Sequence, residues 1–163
     1  MGVTGTGKST IARGLADALG WRLLEGDDLH SSASVERMRG GQPLTDTDRW
    51  PWLLRIAEWI GRGEAAGLDA VVTCSALRRS YREILRQGHP SVWFAHLTVS
   101  PDMLAERLRL RQGHFMPASL LDSQLADVQP LGPDEPGVTV RAEATPPELL
   151  AHLLGLLHPA GPR

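Results

Sequence analysis

The chain of 163 residues is short of several things at once: it has one cysteine, and of its 17 basic residues only one is lysine. A lone cysteine, Cys74, excludes an internal disulfide and offers no thiolate metal cluster, which suits a reducing cytosol. Net charge is also lacking, at −2 with a pI near 6.3, and this argues against a protein that coats nucleic acid through clustered excess cations. No apolar run approaches the roughly 18 residues that a membrane helix needs. The opening residues Met1-Gly2-Val3-Thr4-Gly5 lack the basic and apolar regions of a signal peptide, so the expectation is a cytoplasmic, single-domain protein spanning 1–163. Repeats and low-complexity blocks are absent as well.

The shortage of lysine is the more telling one. Arg and Lys are interchangeable on most solvated surfaces, but not where a compact ammonium must fit a tight pocket. The single lysine is Lys8, and it falls in Gly2-Val3-Thr4-Gly5-Thr6-Gly7-Lys8-Ser9, which fits the pattern G-x-x-x-x-G-K-[ST]. In such a loop, glycines let the backbone turn tightly so that its N–H groups converge on phosphate oxygens. The helix that follows adds the positive end of its dipole. Lys8 reaches the β- and γ-phosphates, and Ser9 offers a hydroxyl to Mg²⁺. Gly2, Thr4, Gly5, Thr6, Gly7, Lys8, Ser9 and Thr10 are therefore the expected nucleotide-binding residues. Because Lys8 is the only lysine, the guanine-reading motif Asn-Lys-x-Asp cannot occur, and a switch GTPase is excluded. A small-molecule or nucleotide kinase remains.

Hydrophobic spacing predicts helices over 8–19, 33–39, 45–64, 78–87, 101–111, 117–128 and 146–157. Short apolar strands are predicted at 21–25, 69–75, 92–99 and 137–140. Thr45 and Asp48 have capping-box spacing, and Pro51 falls in an early turn of its helix. Alternating strands and helices imply an α/β fold, a parallel sheet with helices on both faces. A phosphate loop leaves the end of a buried parallel strand, and here only Met1 precedes it. Either residues are missing before Met1, or the start was assigned too late, or the sheet does without its usual central strand; the first strand reads as truncated.

A kinase needs a carboxylate near the attacking hydroxyl, cations for the developing charge, and exclusion of water. Asp27, just past the expected strand 21–25, stands at the sheet end where open α/β folds bind ligands. Asp28 reads as solvated or as a helix cap. No acidic residue ends the 69–75 strand. Arg79 and Arg82 read as the solvated face of a basic helix, the Trp50–Trp59 cluster as packing, and Cys74 as an inert buried side chain. His89, His96, His152 and His158 have no ligand spacing.

Five blocks together resemble the gluconokinases of the P-loop type, relatives of shikimate kinase and the nucleoside-monophosphate kinases. They are Gly2–Thr10; Gly26-Asp27-Asp28-Leu29-His30; the run from Gly41 through Pro43-Leu44-Thr45-Asp46 to Trp50-Pro51-Trp52-Leu53; Cys74 to Arg82; and Gly113-His114-Phe115-Met116 to Leu125. The resemblance implies a three-layer kinase fold with a lid at about 107–125 and a substrate-binding subregion at about 28–64. It implies ATP- and Mg²⁺-dependent phosphorylation of D-gluconate to 6-phosphogluconate, by a homodimer acting on a small molecule and on no nucleic acid or membrane. On this chain, Lys8 and Ser9 would hold nucleotide phosphates and metal, and Asp27 would orient the terminal hydroxyl. Glu25 stands where relatives often have Asp. A substrate carboxylate calls for arginine, and Arg49 and Arg78 lie in the matched blocks, with His30 and His114 for hydroxyls. Of the lid arginines, Arg107 and Arg111 share a helix face, and Arg111, beside the hinge, is the expected catalytic one with Arg107 at the phosphates. Two alternatives stand beside this reading: a related kinase of another sugar acid, polyol or nucleotide, or a nucleotide-binding protein inactive for want of its first strand.

Overall fold

The computed structural model describes residues 1–110 and 118–157, so Arg111, His114, Phe115 and Met116 lie outside the described residues. Helix α1 (Lys8–Leu19) starts directly from the glycine loop and stops at Gly20, whose left-handed backbone closes its last turn. Strand β1 (Arg22–Glu25) follows and runs into a 3₁₀ turn at Gly26–Leu29. Next come α2 (Ser32–Arg39), α3 (Asp46–Ala65), β2 (Ala70–Thr73) and α4 (Arg79–Arg86). Strand β3 (Phe94–Thr98), α5 (Pro101–Leu110), α6 (Ala118–Asp127), β4 (Gly137–Arg141) and α7 (Pro146–Leu157) complete the order. The expected capping box is present: Asp48 N–H donates to the Thr45 hydroxyl at 3.3 Å, and Thr45 N–H donates to Asp48 Oδ2 at 2.8 Å.

The strands form two parallel pairs rather than one sheet. β1 pairs with β2 from Arg22↔Ala70 to Glu25↔Thr73, and β3 pairs with β4 from Phe94↔Gly137 to Thr98↔Arg141. Strand residues alternate between two helical layers. Leu24, Val72 and Phe94 meet Trp52, Leu53, Ile56, Tyr81 and Leu85 from α3 and α4. Val71, Ala95, Leu97 and Val140 meet Ile11, Leu15, Leu149 and Leu153 from α1 and α7. A smaller group, Val3, Leu77 and Leu104, ties the loop to α5 and to Leu121 of α6.

Arg82 departs from the expected solvated face. It is fully buried, and its guanidinium donates to both oxygens of Glu135 at 2.6 and 2.8 Å and to the carbonyls of Ala76, Leu77, Gln129 and Pro130. Helix α4 turns Tyr81, Arg82 and Leu85 inward, and the segment 129–135 wraps over them. A buried charge persists only when paired and fully bonded, and Arg82 meets both conditions. It also fixes the turn after β2, where Ala76 adopts a left-handed φ of 43°. Arg79 does lie at the surface, paired with Asp134 and Glu83.

Candidate active site

The loop 2–7 packs as the motif requires. Gly7 takes a left-handed φ of 94° immediately before Lys8, so α1 begins with its N-terminus facing the loop. The Thr6 side chain is turned inward to the Val3 carbonyl at 2.9 Å, which leaves its backbone to line the concavity. Lys8 Nζ donates to the same carbonyl at 2.9 Å, bent back over the loop. Arg107 joins this end: its guanidinium donates to Thr6 O at 3.3 Å and to Ala142 O at 2.6 Å, which anchors α5 beside the phosphate loop. Thr10 is exposed on the first turn of α1. Gln124 was not among the expected contacts, yet its Oε1 accepts from Thr4 N–H at 2.8 Å and brings α6 onto the loop. Its only sequence signal is its place in the last matched block.

Ser9 is exposed and donates to Glu25 Oε2 at 3.0 Å, and the Thr73 hydroxyl donates to the same oxygen at 2.6 Å. The other oxygen, Glu25 Oε1, is buried without a hydrogen-bond partner, and Arg13 lies 3.7 Å from it. A hydroxyl and an under-used carboxylate oxygen at the start of the phosphate-binding helix are the hard oxygen donors that Mg²⁺ takes. The residues present therefore fit a metal at Ser9, with Glu25 behind it. Thr73 supplies a hydroxyl where β2 lacks a terminal carboxylate.

Gly26 follows Glu25 and carries the chain past β2 at close range. A Cβ there would lie 2.2 Å from the Thr73 carbonyl, so only glycine lets Asp27 emerge at this point. Asp27 is 83% exposed, open to an incoming hydroxyl. His30 Nε2 lies 4.0 Å from Asp27 Oδ1, and its ring stacks on Trp52 with centroids 4.2 Å apart. Burial lowers the His30 pKa; Asp27 acts in the opposite sense, and Arg55 and Arg49 lower it further. Its Nδ1 is buried without a hydrogen-bond partner. Trp52 in turn donates its indole N–H to Gly26 O at 2.6 Å, so the expected packing tryptophan also shapes the site.

Arg49 and Arg78 do come together, through groups that sequence reasoning did not single out. Asp127, the last residue of α6, accepts from Arg78 Nη2 and Nε at 2.5 and 3.0 Å and from Arg49 Nη1 at 2.7 Å. Asp46 accepts from Arg78 Nη1 at 3.1 Å and from the Tyr81 hydroxyl at 2.5 Å. Arg49 closes the ring by donating to Tyr81 Oη at 2.7 Å. Two guanidinium groups thus face two carboxylates in a neutral ring drawn from α3, α4 and α6. Burial opposes the charge on Arg49, but its bonds to Tyr81 and Asp127 outweigh this and raise its pKa; the Asp127 bond does the same for Arg78. Burial, then the bond to Asp46, raises the Tyr81 phenol. Arg78 remains 38% exposed and Arg49 only 14%, so Arg78 is the one that presents donors outward.

Elsewhere, Cys74 is buried and its thiol is pushed up to about 12 by burial, which makes it inert at neutral pH. Among the described residues no group of His, Cys, Asp and Glu is arranged to hold a metal by itself, and no helix is long and apolar enough to cross a membrane.

Comparison with known proteins identifies the family. A family model described as an AAA domain matches residues 1–131. A gluconokinase of Gluconobacter oxydans (strain 621H) is 53% identical over 154 residues, covering 94% of this chain and 86% of that protein. The crystal structure of a gluconokinase from Sinorhizobium meliloti 1021 superposes with a TM-score of 0.86 at 42% identity, over 98% of this chain and 90% of that one. The unliganded structure of a sugar kinase from Janibacter sp. HTCC2649 superposes at 0.93 and 48% identity, over 98% and 92%. With a phosphate loop at the start of α1, an exposed carboxylate past β1 and these relatives along nearly its whole length, the chain belongs to the P-loop gluconokinases, phosphotransferases whose acceptor is an alcohol group.

Proposed function

We propose that the chain transfers the γ-phosphoryl group of ATP to the terminal hydroxyl of D-gluconate, giving 6-phosphogluconate and ADP. The observation that carries this reading is the Ser9–Glu25 contact of 3.0 Å, because it seats the phosphate loop against the end of β1, two residues before Asp27. The loop amides of residues 2–9 hold the phosphates, and the Lys8 ammonium leaves Val3 O to meet the β- and γ-oxygens. Ser9, with Glu25 behind it, would hold Mg²⁺, which would supply neutralisation of the phosphate charge. Asp27 accepts a hydrogen bond from the terminal hydroxyl and takes its proton as the new O–P bond forms. His30 orients a neighbouring hydroxyl, and Arg78, held by Arg49 through Asp127, receives the sugar-acid carboxylate.

The region 28–64 serves as the substrate-binding part and 107–125 as the lid. Arg107 at the loop contributes positive charge, and Arg111 and His114 complete the closed site from the lid. We further propose a cytoplasmic homodimer, as the family resemblance and the lone cysteine suggest. ADP release measured with gluconate, shikimate, adenosine phosphosulfate and nucleoside monophosphates tests the reading: turnover is expected with gluconate. Turnover with another acceptor and none with gluconate overturns the substrate. The divided sheet favours one second reading, a protein that binds ATP and transfers nothing, and the same assay identifies it by ATP binding without ADP release.

A further inference from the structure

Helix α6 reaches both ends of the site from one face. Leu121, Gln124 and, just past the helix, Val128 recur at helical spacing. Leu121 and Val128 pack against Val3, Leu77 and Leu104, and between them Gln124 Oε1 accepts from Thr4 N–H at 2.8 Å. Only the oxygen of the side-chain amide can receive that N–H, so the orientation of the amide is fixed. One turn on, Asp127 holds Arg49 and Arg78. Two bonds fasten the segment that follows: Gln129 N–H donates to Leu77 O at 2.8 Å, and Arg79 N–H donates to Gln129 Oε1 at 2.7 Å.

Thr4 N–H is one end of a peptide unit whose other end carries the lysine. Such a unit is planar and trans, so its N–H and C=O point in opposite directions and turn together. The carbonyl of this unit, Val3 O, accepts from Lys8 Nζ and from the Thr6 hydroxyl, both at 2.9 Å. The next residue but one, Gly5, stands at a φ of 86°, a permissive backbone that does not by itself fix how the unit is turned. Gln124 supplies the constraint from outside the loop: by holding the N–H it holds the carbonyl, and by the carbonyl the ammonium. We propose, on the phosphoryl-transfer reading of the loop, that Gln124 is a positioning residue that sets, through the Val3–Thr4 peptide, where the Lys8 ammonium stands. Helix α6 then serves both ends, because the helix that sets the lysine also carries Asp127 behind the arginines proposed for the acceptor.

Gln124→Met keeps the length of the side chain and removes the acceptor. It should lower kcat roughly tenfold, the scale of one hydrogen bond, with KM for gluconate within about twofold. Gln124→Glu restores an oxygen acceptor and should keep kcat within about threefold of the parent chain, at a higher KM for ATP because its charge stands beside the phosphates. A double-mutant cycle with Lys8→Ala reads the route by which Gln124 acts. In calorimetric titration with ATP, Gln124→Met should weaken binding roughly fivefold in the parent chain and less than about twofold in Lys8→Ala, where no ammonium remains to be misplaced. Equal weakening in the two backgrounds overturns the proposal, for Gln124 would then act on packing alone. So does full turnover in Gln124→Met, or a Gln124→Glu variant as slow as Gln124→Met. The cycle needs ATP and no acceptor, so its failure is distinct from a failure of gluconate as the substrate.

Discussion

Residues 2–9 build the proposed phosphate end of the site mostly from backbone, in one contiguous stretch, whereas the proposed acceptor end takes side chains from α3, α6 and the start of α4. The loop needs glycines, one ammonium and one hydroxyl, and eight consecutive positions supply them. The acceptor end needs Arg49, Arg78, Tyr81, Asp46 and Asp127 to find one another across a span of 81 residues, and each depends on the next for its orientation. Damage to the loop should therefore act on phosphoryl transfer itself. Damage to the ring should act on how the acceptor is held.

The largest effect is expected at Lys8. Lys8→Ala should lower kcat by roughly 10³-fold, the scale of losing a charged transition-state donor. Lys8→Arg should also be severely impaired, since a planar fork does not replace an ammonium in a niche bounded by the Val3 carbonyl. Near-normal turnover for Lys8→Arg in the coupled ADP assay would remove the reason for the chain's single lysine. Asp27→Asn comes next, with kcat lower by roughly 10²-fold and ATP affinity unchanged by titration. An Asp27→Asn variant with full turnover would place the proton acceptor elsewhere and break the division between the two ends.

The same division explains what could be read before the fold was known. The helices, the capping box at Thr45 and the phosphate loop depend on neighbours in sequence, and all three stand where their residues predict. The parallel strands between two helical layers were legible too, whereas their grouping into the pairs β1–β2 and β3–β4 depends on partners more than forty residues apart, which local patterns do not describe. Arg82 was misread for a related reason. Its periodicity places it on a basic helix, but the Glu135 carboxylate that makes its burial tolerable arrives from 53 residues away. Asp127 and Gln124 were passed over because a carboxylate and an amide at the end of a helix look solvated until α6 is laid across Arg49 and Thr4.

Asp127 sharpens the comparison at smaller magnitude. Its two oxygens hold Arg78 and Arg49 side by side, so Asp127→Asn should loosen the fork proposed to receive the substrate carboxylate. KM for gluconate is expected to rise roughly tenfold, the scale of one charge-assisted hydrogen bond, with kcat and KM for ATP within about twofold. A lower KM would show instead that Asp127 competes with the substrate for the same donors. An equal fall in kcat at saturating gluconate would show that the ring reaches the reacting atoms.

The smallest effect separates two buried histidines. Burial lowers the pKa of both His30 and His96, His96 to about 4, with the α-amino group and Arg82 adding to the shift. In the unfolded chain each takes up its proton near pH 6.5. A folded pKa below that value means that the unfolded state binds more protons as pH falls, so stability is complete above about 6.5 and is lost progressively toward 4. Tm should therefore fall by several degrees over that window, and His96→Gln, which keeps a polar side chain without the titration, should flatten the fall. On the proposed assignment His30 belongs to the acceptor end, so acid should also raise KM for gluconate through it, in His96→Gln as much as in the parent chain. If His96→Gln abolished the pH dependence of KM as well, the acceptor end and the β3 half of the sheet would be one titrating unit rather than two.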